Sequence, residues 1–400
     1  MKNNKILLIL LLCLAFAACK KEEPAQPGTT PSENNRYLVQ VLEDRRMTAE
    51  EVRNCCQEMA GSTVNLSLFK IPWHDVRILT LKYRTTDGQG KPAEASGVLA
   101  FRSDIDHFDG IYSVQHATCE LKDAPSRLTF SLEATVCMWN YIVCEADYMG
   151  YGYAETADRF IPYLNAECAG NNCRDMLYAA KEYLASQQIA YTDSTHLIGY
   201  SQGGAATIAL LRALEAESYP RIGRINAGGC PFSLRTTLQE VMKDSAAYSN
   251  YRNPVYALLI FRSMDESYQL HLDWSKLFKP GYERAIDWLS SNTFAEMNQL
   301  LGHNARAFLS DDFFRIPEGD SLNPELSRLY AACDRNDLVR HFAPQHQVNL
   351  FHTPHDDIVA YANAQQAVQA HSAYHLTNLS ANNHFNGIFE FYLHILLTHP

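Results

Sequence analysis

The stretch Thr195-His196-Leu197-Ile198-Gly199-Tyr200-Ser201-Gln202-Gly203-Gly204 decides the fold of this chain. Its first four residues read as a short buried strand. Beyond it, Ala205, Ala206, Ile208, Ala209, Leu211, Ala213 and Leu214 fall on one helical face. Between strand and helix lies a Gly-x-Ser-x-Gly turn with Ser201 at its point. A serine on so sharp a bend carries its hydroxyl exposed above a sheet, and the glycines at 199 and 203 leave room for the crowded backbone. The helix that follows aims its N-terminal amides and the positive end of its dipole at the same spot, which favours a developing oxyanion.

Working outward, residues 141–146, 172–186, 195–198, 203 onward and 225–228 alternate strand, helix, strand, helix, strand. That βαβαβ order calls for a mostly parallel sheet covered by helices on both faces. Upstream, residues 76–86 and 94–101 show strand-type alternation around Asp87-Gly88-Gln89-Gly90 and predict a hairpin. A further strand is expected at 110–114, separated from 141–146 by a segment long enough to hold a helix. Thr48-Ala49-Glu50-Glu51 is a capping box that opens a helix over 47–59. Residues 234–343 are aromatic-rich and helical in period, which predicts a helical insertion. The sheet resumes with a strand at 347–351, a helix at 360–370, a strand at 375–379 and a closing helix at 385–397.

The chain has 400 residues, 46% of them hydrophobic, enough to bury a sizeable core. It opens with Lys2 and Lys5, then an apolar run from Ile6 to Ala18 ending in Ala17-Ala18-Cys19, which reads as a signal peptide over residues 1–18 and is too short to span a bilayer. The end of this run resembles the lipobox of bacterial lipoproteins, in which Cys19 would carry the lipid. Residues 19–36 are polar and rich in Pro, Glu and Asn, as expected of a flexible tether. The expected localisation is therefore the bacterial cell envelope, lipid-anchored, at the outer membrane and surface-exposed. Removal of residues 1–18 takes away two lysines and changes the charge from −11 to −13. So acidic a surface argues against nucleic acid as a partner and against membrane contact beyond the anchor. Of eleven cysteines, Cys168 and Cys173 could close a small loop, while Cys119, Cys137, Cys144 and Cys230 lie in apolar segments as expected of buried thiols.

A serine hydroxyl is a poor nucleophile until a base takes its proton, and the base needs an acid to orient it. After the 347–351 strand comes His352-Thr353-Pro354-His355-Asp356-Asp357-Ile358-Val359, and after the last strand Ser380-Ala381-Asn382-Asn383-His384-Phe385. His384 is the natural base and Asp356 or its neighbour Asp357 the acid, with Asp356 preferred. His352, His355, Asp356 and Asp357 also form a possible metal cluster, but companion ligands at helical spacing are missing, so neither metal nor cofactor is expected.

These features together resemble the α/β-hydrolase superfamily, most closely bacterial secreted lipase and esterase lipoproteins with a helical lid. The resemblance covers residues 70–400 and rests on the Gly199–Gly204 elbow, on a His-x-x-x-Asp-x-x-Val pattern at 352–359 that favours Asp356, on Tyr83 to Asp87 with Ala95-Ser96-Gly97, and on Asp147 to Gly152. It implies an α/β-hydrolase domain over 37–400 with a helical lid insertion at about 234–343. It further implies an oxyanion hole made by the amides of Gln202 and Ala117, the second within Gln115-His116-Ala117-Thr118, where alanine replaces the family's glycine. The expected activity is hydrolysis of small-molecule or lipid carboxylic esters through an acyl-enzyme on Ser201, Asp356 and His384. A peptidase anchoring an amino end on Asp265 and Glu266, an acyl-sugar esterase, and a catalytically silent binding lipoprotein are the alternatives.

Overall fold

The structure is a computed structural model that describes residues 35–60, 66, 71–242, 254–302, 304–315 and 323–398. The expected signal peptide, Cys19 and nearly all of the expected tether lie outside these residues. Asn35 and Arg36, which the sequence assigns to the tether, are already held: Arg84 donates to the Asn35 carbonyl, and the Arg36 amide donates to Glu182 at 2.9 Å.

The chain begins with β1 (Leu38–Met47) and α1 (Ala49–Ala60), whose capping box is formed by Thr48 and Glu51. The hairpin follows as β2 (Val76–Thr86) and β3 (Pro92–Arg102), closed by Asp87, whose Oδ1 accepts from the amides of Gln89 and Lys91. Next come β4 (His107–Phe108), β5 (Gly110–Gln115), β6 (Tyr141–Ala146), α2 (Ala166–Ser186), β7 (Ala190–Tyr191), β8 (Thr195–Tyr200), α3 (Gln202–Ala216) and β9 (Ile222–Gly228). Six helices then intervene among the described residues: α4 (Leu234–Met242), α5 (Val255–Tyr268), α6 (Ala285–Trp288), α7 (Phe294–Leu301), α8 (Ala305–Phe308) and α9 (Pro324–Arg335). The chain closes with β10 (Val348–His352), α10 (Ala362–Ala370), β11 (Tyr374–Asn378) and α11 (His384–Thr398).

Nine strands form one sheet in the order β1-β2-β3-β6-β5-β8-β9-β10-β11. Strands from β6 to β11 along this order run parallel, and β1, β2 and β3 add antiparallel neighbours at one side. The period-two alternation splits each strand between two cores. Leu197 and Leu350 face α2, α3 and α10, whereas Ile198 and Phe351 face α1 and α11. Parallel strands buried on both faces need such double cover, and all six residues of β8 are buried.

Three local expectations are corrected. The sequence reading placed no strand before residue 47, yet β1 pairs with β2 there. Helix α2 starts six residues earlier than its apolar pattern suggests, because the Asn165 side chain caps it by accepting from the Cys168 amide at 3.1 Å. That early start puts Cys168 and Cys173 on one helix, five residues apart, and they form no disulfide. Between β5 and β6 the chain makes three 3-10 turns rather than one helix, and Pro125 occupies the start of the second. Cys137, Cys144 and Cys230 are buried, while Cys119 is half-buried with its Sγ 3.6 Å from His116 Nδ1.

Glu145 of β6 is fully buried, accepts from Ser131 Oγ at 2.7 Å, and feels the charge of a second, half-buried acid, Glu133. Burial, reinforced by the Glu133 charge, pushes its carboxyl well above the usual range. A carboxyl whose pKa is raised on folding stabilises the fold at low pH and loses that contribution as pH climbs from the unfolded value, about 4.3, through the folded one. Glu145→Gln, which keeps the acceptor for Ser131 and removes the titration, is expected to come closest to the parent below the unfolded value, at about pH 3.5, and to melt higher than it at pH 8. Equal melting-temperature losses at both pH values would contradict this account.

Candidate active site

The parallel strands β5, β6, β8, β9, β10 and β11 bring their C-terminal ends to one rim, where the sequence-predicted residues meet. Ser201 joins β8 to α3 with φ 59° and ψ −121°, a conformation that costs a non-glycine residue on the order of 1–3 kcal/mol. It is held there by its amide, which donates to the Gly228 carbonyl at 2.8 Å, and by its carbonyl, which accepts from the Ala205 amide at 3.1 Å. Gly203 is required for a steric reason: a Cβ there would collide with the Gln115 carbonyl oxygen at the end of β5. The elbow is thereby locked against the strand that leads to Ala117.

His384 opens α11, and its Nε2 lies 2.8 Å from Ser201 Oγ. Its Nδ1 lies 2.7 Å from Asp356 Oδ2. The other oxygen of Asp356 accepts from the amides of Ile358 at 2.9 Å and Val359 at 2.7 Å, so the turn after β10 clamps the carboxylate. Ser201, Asp356 and His384 are 9%, 4% and 2% exposed, which keeps competing water from the hydrogen-bonded chain. Burial opposes ionisation of Asp356, but the imidazoles of His384 and His352 together override it, and the carboxyl sits well below its usual range.

Asp357 does not reach the His384 ring. Its Oδ1 accepts from the His384 backbone amide at 3.1 Å and so caps α11. Two contacts escaped the sequence reading. Tyr200, within the elbow, donates its hydroxyl to the His384 carbonyl at 3.1 Å, and His352 approaches Asp356 at 3.1 Å. The four-residue spacing of His352 and Asp356 is the available signal: it points to Asp356 as the acid but not to a contact between the two side chains. Among the described residues no group of three or more His, Cys, Asp or Glu side chains is placed to hold a metal ion, and His355 points outward, exposed.

Gln202 is the first residue of α3, so its amide has no acceptor within the helix. Ala117 follows the end of β5 beside it. His116 stacks on Tyr148 at 4.2 Å, and its ring nitrogens lie 2.7 Å from the Ala117 carbonyl and 3.1 Å from the Asp147 carbonyl. It is committed to shaping the loop and does not serve Ser201 as a base. A small, largely apolar cleft opens at Gln202 between α2, α3 and the start of α4, walled by Leu164, Ala205, Ala206, Pro231, Leu234 and Leu338. Over this region α5 is tied down by Arg262, which donates to the Asp158 carbonyl and carboxylate at 3.0 Å each and to Glu266 at 2.6 Å. Asp265 accepts from the Leu272 amide at 3.0 Å. Both acids considered as anchors for a peptide's amino end are thus already engaged.

This sheet order, with a nucleophile-elbow turn after β8 and helices on both faces, is the α/β-hydrolase fold. Solved structures carry the same fold. The rice cell-wall-degrading esterase LipA from Xanthomonas oryzae superposes with a TM-score of 0.73 at 20% identity over 89% of this chain and 96% of that one. A Legionella pneumophila protein solved as a candidate hydrolase gives 0.73 at 22% identity, covering 90% and 97% of the two chains. Candida antarctica lipase A in its closed state gives 0.59 at 15% identity, over 86% and 77%. In sequence, the chain is 24% identical over 260 residues to a secreted triacylglycerol lipase of Malassezia furfur, an alignment covering 64% of this chain and 62% of the lipase. The chain therefore spans less than two thirds of that relative's length. No protein-family profile matches the chain.

Proposed function

We propose that the protein is a serine hydrolase that cleaves carboxylic esters. The observation that carries this reading is the unbroken chain from Ser201 Oγ through His384 to Asp356, with steps of 2.8 and 2.7 Å, mounted on a strained elbow. His384 Nε2 takes the proton of Ser201 as Oγ attacks the ester carbonyl. The amides of Gln202 and Ala117 receive the oxyanion. His384 then returns the proton to the departing alkoxide, leaving an acyl-enzyme on Ser201. Water, deprotonated by the same imidazole, attacks the acyl carbonyl; the bond from the acyl carbon to Oγ then breaks, His384 returns the proton to Ser201 Oγ, and the carboxylic acid leaves. Asp356 keeps its negative charge throughout and fixes the imidazole tautomer.

Likeness to a secreted lipase and to an esterase supports an ester substrate acting outside the cytoplasm. In this reading the small apolar cleft beside Gln202 is where an acyl chain enters, and the described helices α4 to α9 belong to the lid. The direct experiment is a panel of p-nitrophenyl esters graded by acyl length. Measurable turnover of at least one is expected, and hydrolysis of none would remove the reading.

Anchoring through Cys19 completes the proposal. Among the described residues no helix is long and apolar enough to cross a membrane. Metabolic labelling with an alkyne fatty acid is expected to tag the full chain and to fail for Cys19→Ser; equal labelling of both would contradict the anchor.

A further inference from the structure

We propose that His352 is a positioning residue of this site, a second imidazole set 3.1 Å from the Asp356 oxygen that receives His384, and that it sets how basic His384 is. The proposal rests on reading Ser201 and His384 as nucleophile and base.

His352 is the last residue of β10 and is 1% exposed. Its Nε2 lies 3.0 Å from the Val359 carbonyl and 3.1 Å from Asp356 Oδ2. A carbonyl oxygen can only accept, so Nε2 carries hydrogen and donates it to Val359, with Asp356 Oδ2 lying beside the same N–H at 3.1 Å. The turn after β10 makes this meeting possible. The Asp356 amide bonds back to the Thr353 carbonyl, which returns the aspartate onto the strand end it has just left. Tyr361 packs edge-on against the His352 ring at 5.6 Å and limits its rotation.

Asp356 Oδ2 therefore faces two imidazole donors, His384 Nδ1 and His352 Nε2, while Oδ1 faces two amides. The positive end of the His352 N–H, 3.1 Å from Oδ2, offsets part of its negative charge and weakens the stabilisation that Asp356 offers to a protonated His384. Other charged or titratable groups nearby come from every packed element: Tyr200 from β8, Glu390 from α11, and Asp357 and His355 from the turn itself. Asp357 acts on the His384 backbone, and Tyr200 on the His384 carbonyl, whereas His352 acts on the shared oxygen.

The test compares His352→Phe with His352→Gln in the full chain. Phenylalanine removes the donor, so His384 should become more basic and the acidic limb of the kcat/KM profile should move up by about half a pH unit or more. Glutamine can still donate to Oδ2 and should leave the limb near that of the parent. A purely structural role would lower kcat/KM by the same factor at every pH, and an unmoved limb in a folded His352→Phe protein would overturn the proposal. Nitrogen-15 NMR of histidine-labelled parent protein gives an independent arm, which decides the matter should the phenylalanine variant not fold. Nε2 of His352 is expected to bear hydrogen, and the opposite tautomer would overturn the proposal. Failure of fluorophosphonate to label Ser201 would instead strike the reading of the triad, separating the two outcomes.

Discussion

Replacement of Ser201 by alanine is expected to lower kcat/KM for any ester substrate by about 100,000-fold or more, on the precedent of serine triads that act as one unit. The loss arises because no other group stands where Oγ does. His384 Nε2 would face a methyl group 183 residues away in sequence instead of a hydroxyl, and the acyl-enzyme could not form. What remains is whatever the oxyanion amides and the cavity supply to attack by water. The fold should survive, since alanine keeps the backbone bonds of Ser201 to Gly228 and Ala205 and the side chain makes no capping bond to α3. Its melting temperature is expected within a few degrees of the parent's. A folded variant with undiminished turnover would remove Ser201 from the chemistry.

Asp356→Asn is expected to cost about 10,000-fold in kcat/KM, with a loss of stability as well. Both oxygens of Asp356 accept: Oδ1 from two amides and Oδ2 from His384 Nδ1, with the His352 N–H close beside Oδ2. An asparagine must turn its NH₂ toward one pair. Facing the amides, it opposes donor to donor in a buried site, at about 1–3 kcal/mol. Facing His384, it forces the imidazole into the tautomer whose Nε2 carries hydrogen and cannot accept from Ser201. Activity should recover partly at high pH, where hydroxide replaces the general base. Glutamate at this position keeps the charge but lengthens the arm, and it should retain more activity than asparagine. Loss of activity at Asp357→Asn equal to that at Asp356→Asn would point to the wrong acid, since Asp357 touches the backbone amide of His384 and not its ring.

The elements around the site were readable because a short buried strand gives way to a helical apolar face at a single residue, Ser201, and because β10 and β11 each end in a polar turn. The antiparallel edge was not. Strand β1, LVQVLEDRRM, pairs along one side only and carries irregularities between Leu38 and Gln40 and between Val41 and Glu43, which break the alternation that would mark it. The start of α2 was hidden for another reason: its first turns present Ala166, Ala169 and Gly170, too small to print an apolar stripe, and Asn165 alone announces the helix. At the site, the positions of Ser201, Asp356 and His384 relative to strand ends could be reasoned from order along the chain. The approach of His352 to Asp356 could not, because it depends on how tightly the turn at Thr353 folds back.

The measurement that bears most directly on the central reading is covalent labelling of the full chain by a fluorophosphonate, located by peptide mass spectrometry. One adduct, on Ser201, is expected in the parent protein, abolished by prior denaturation and strongly reduced in His384→Ala. A folded protein that takes no adduct, or takes it on another residue, would contradict the account.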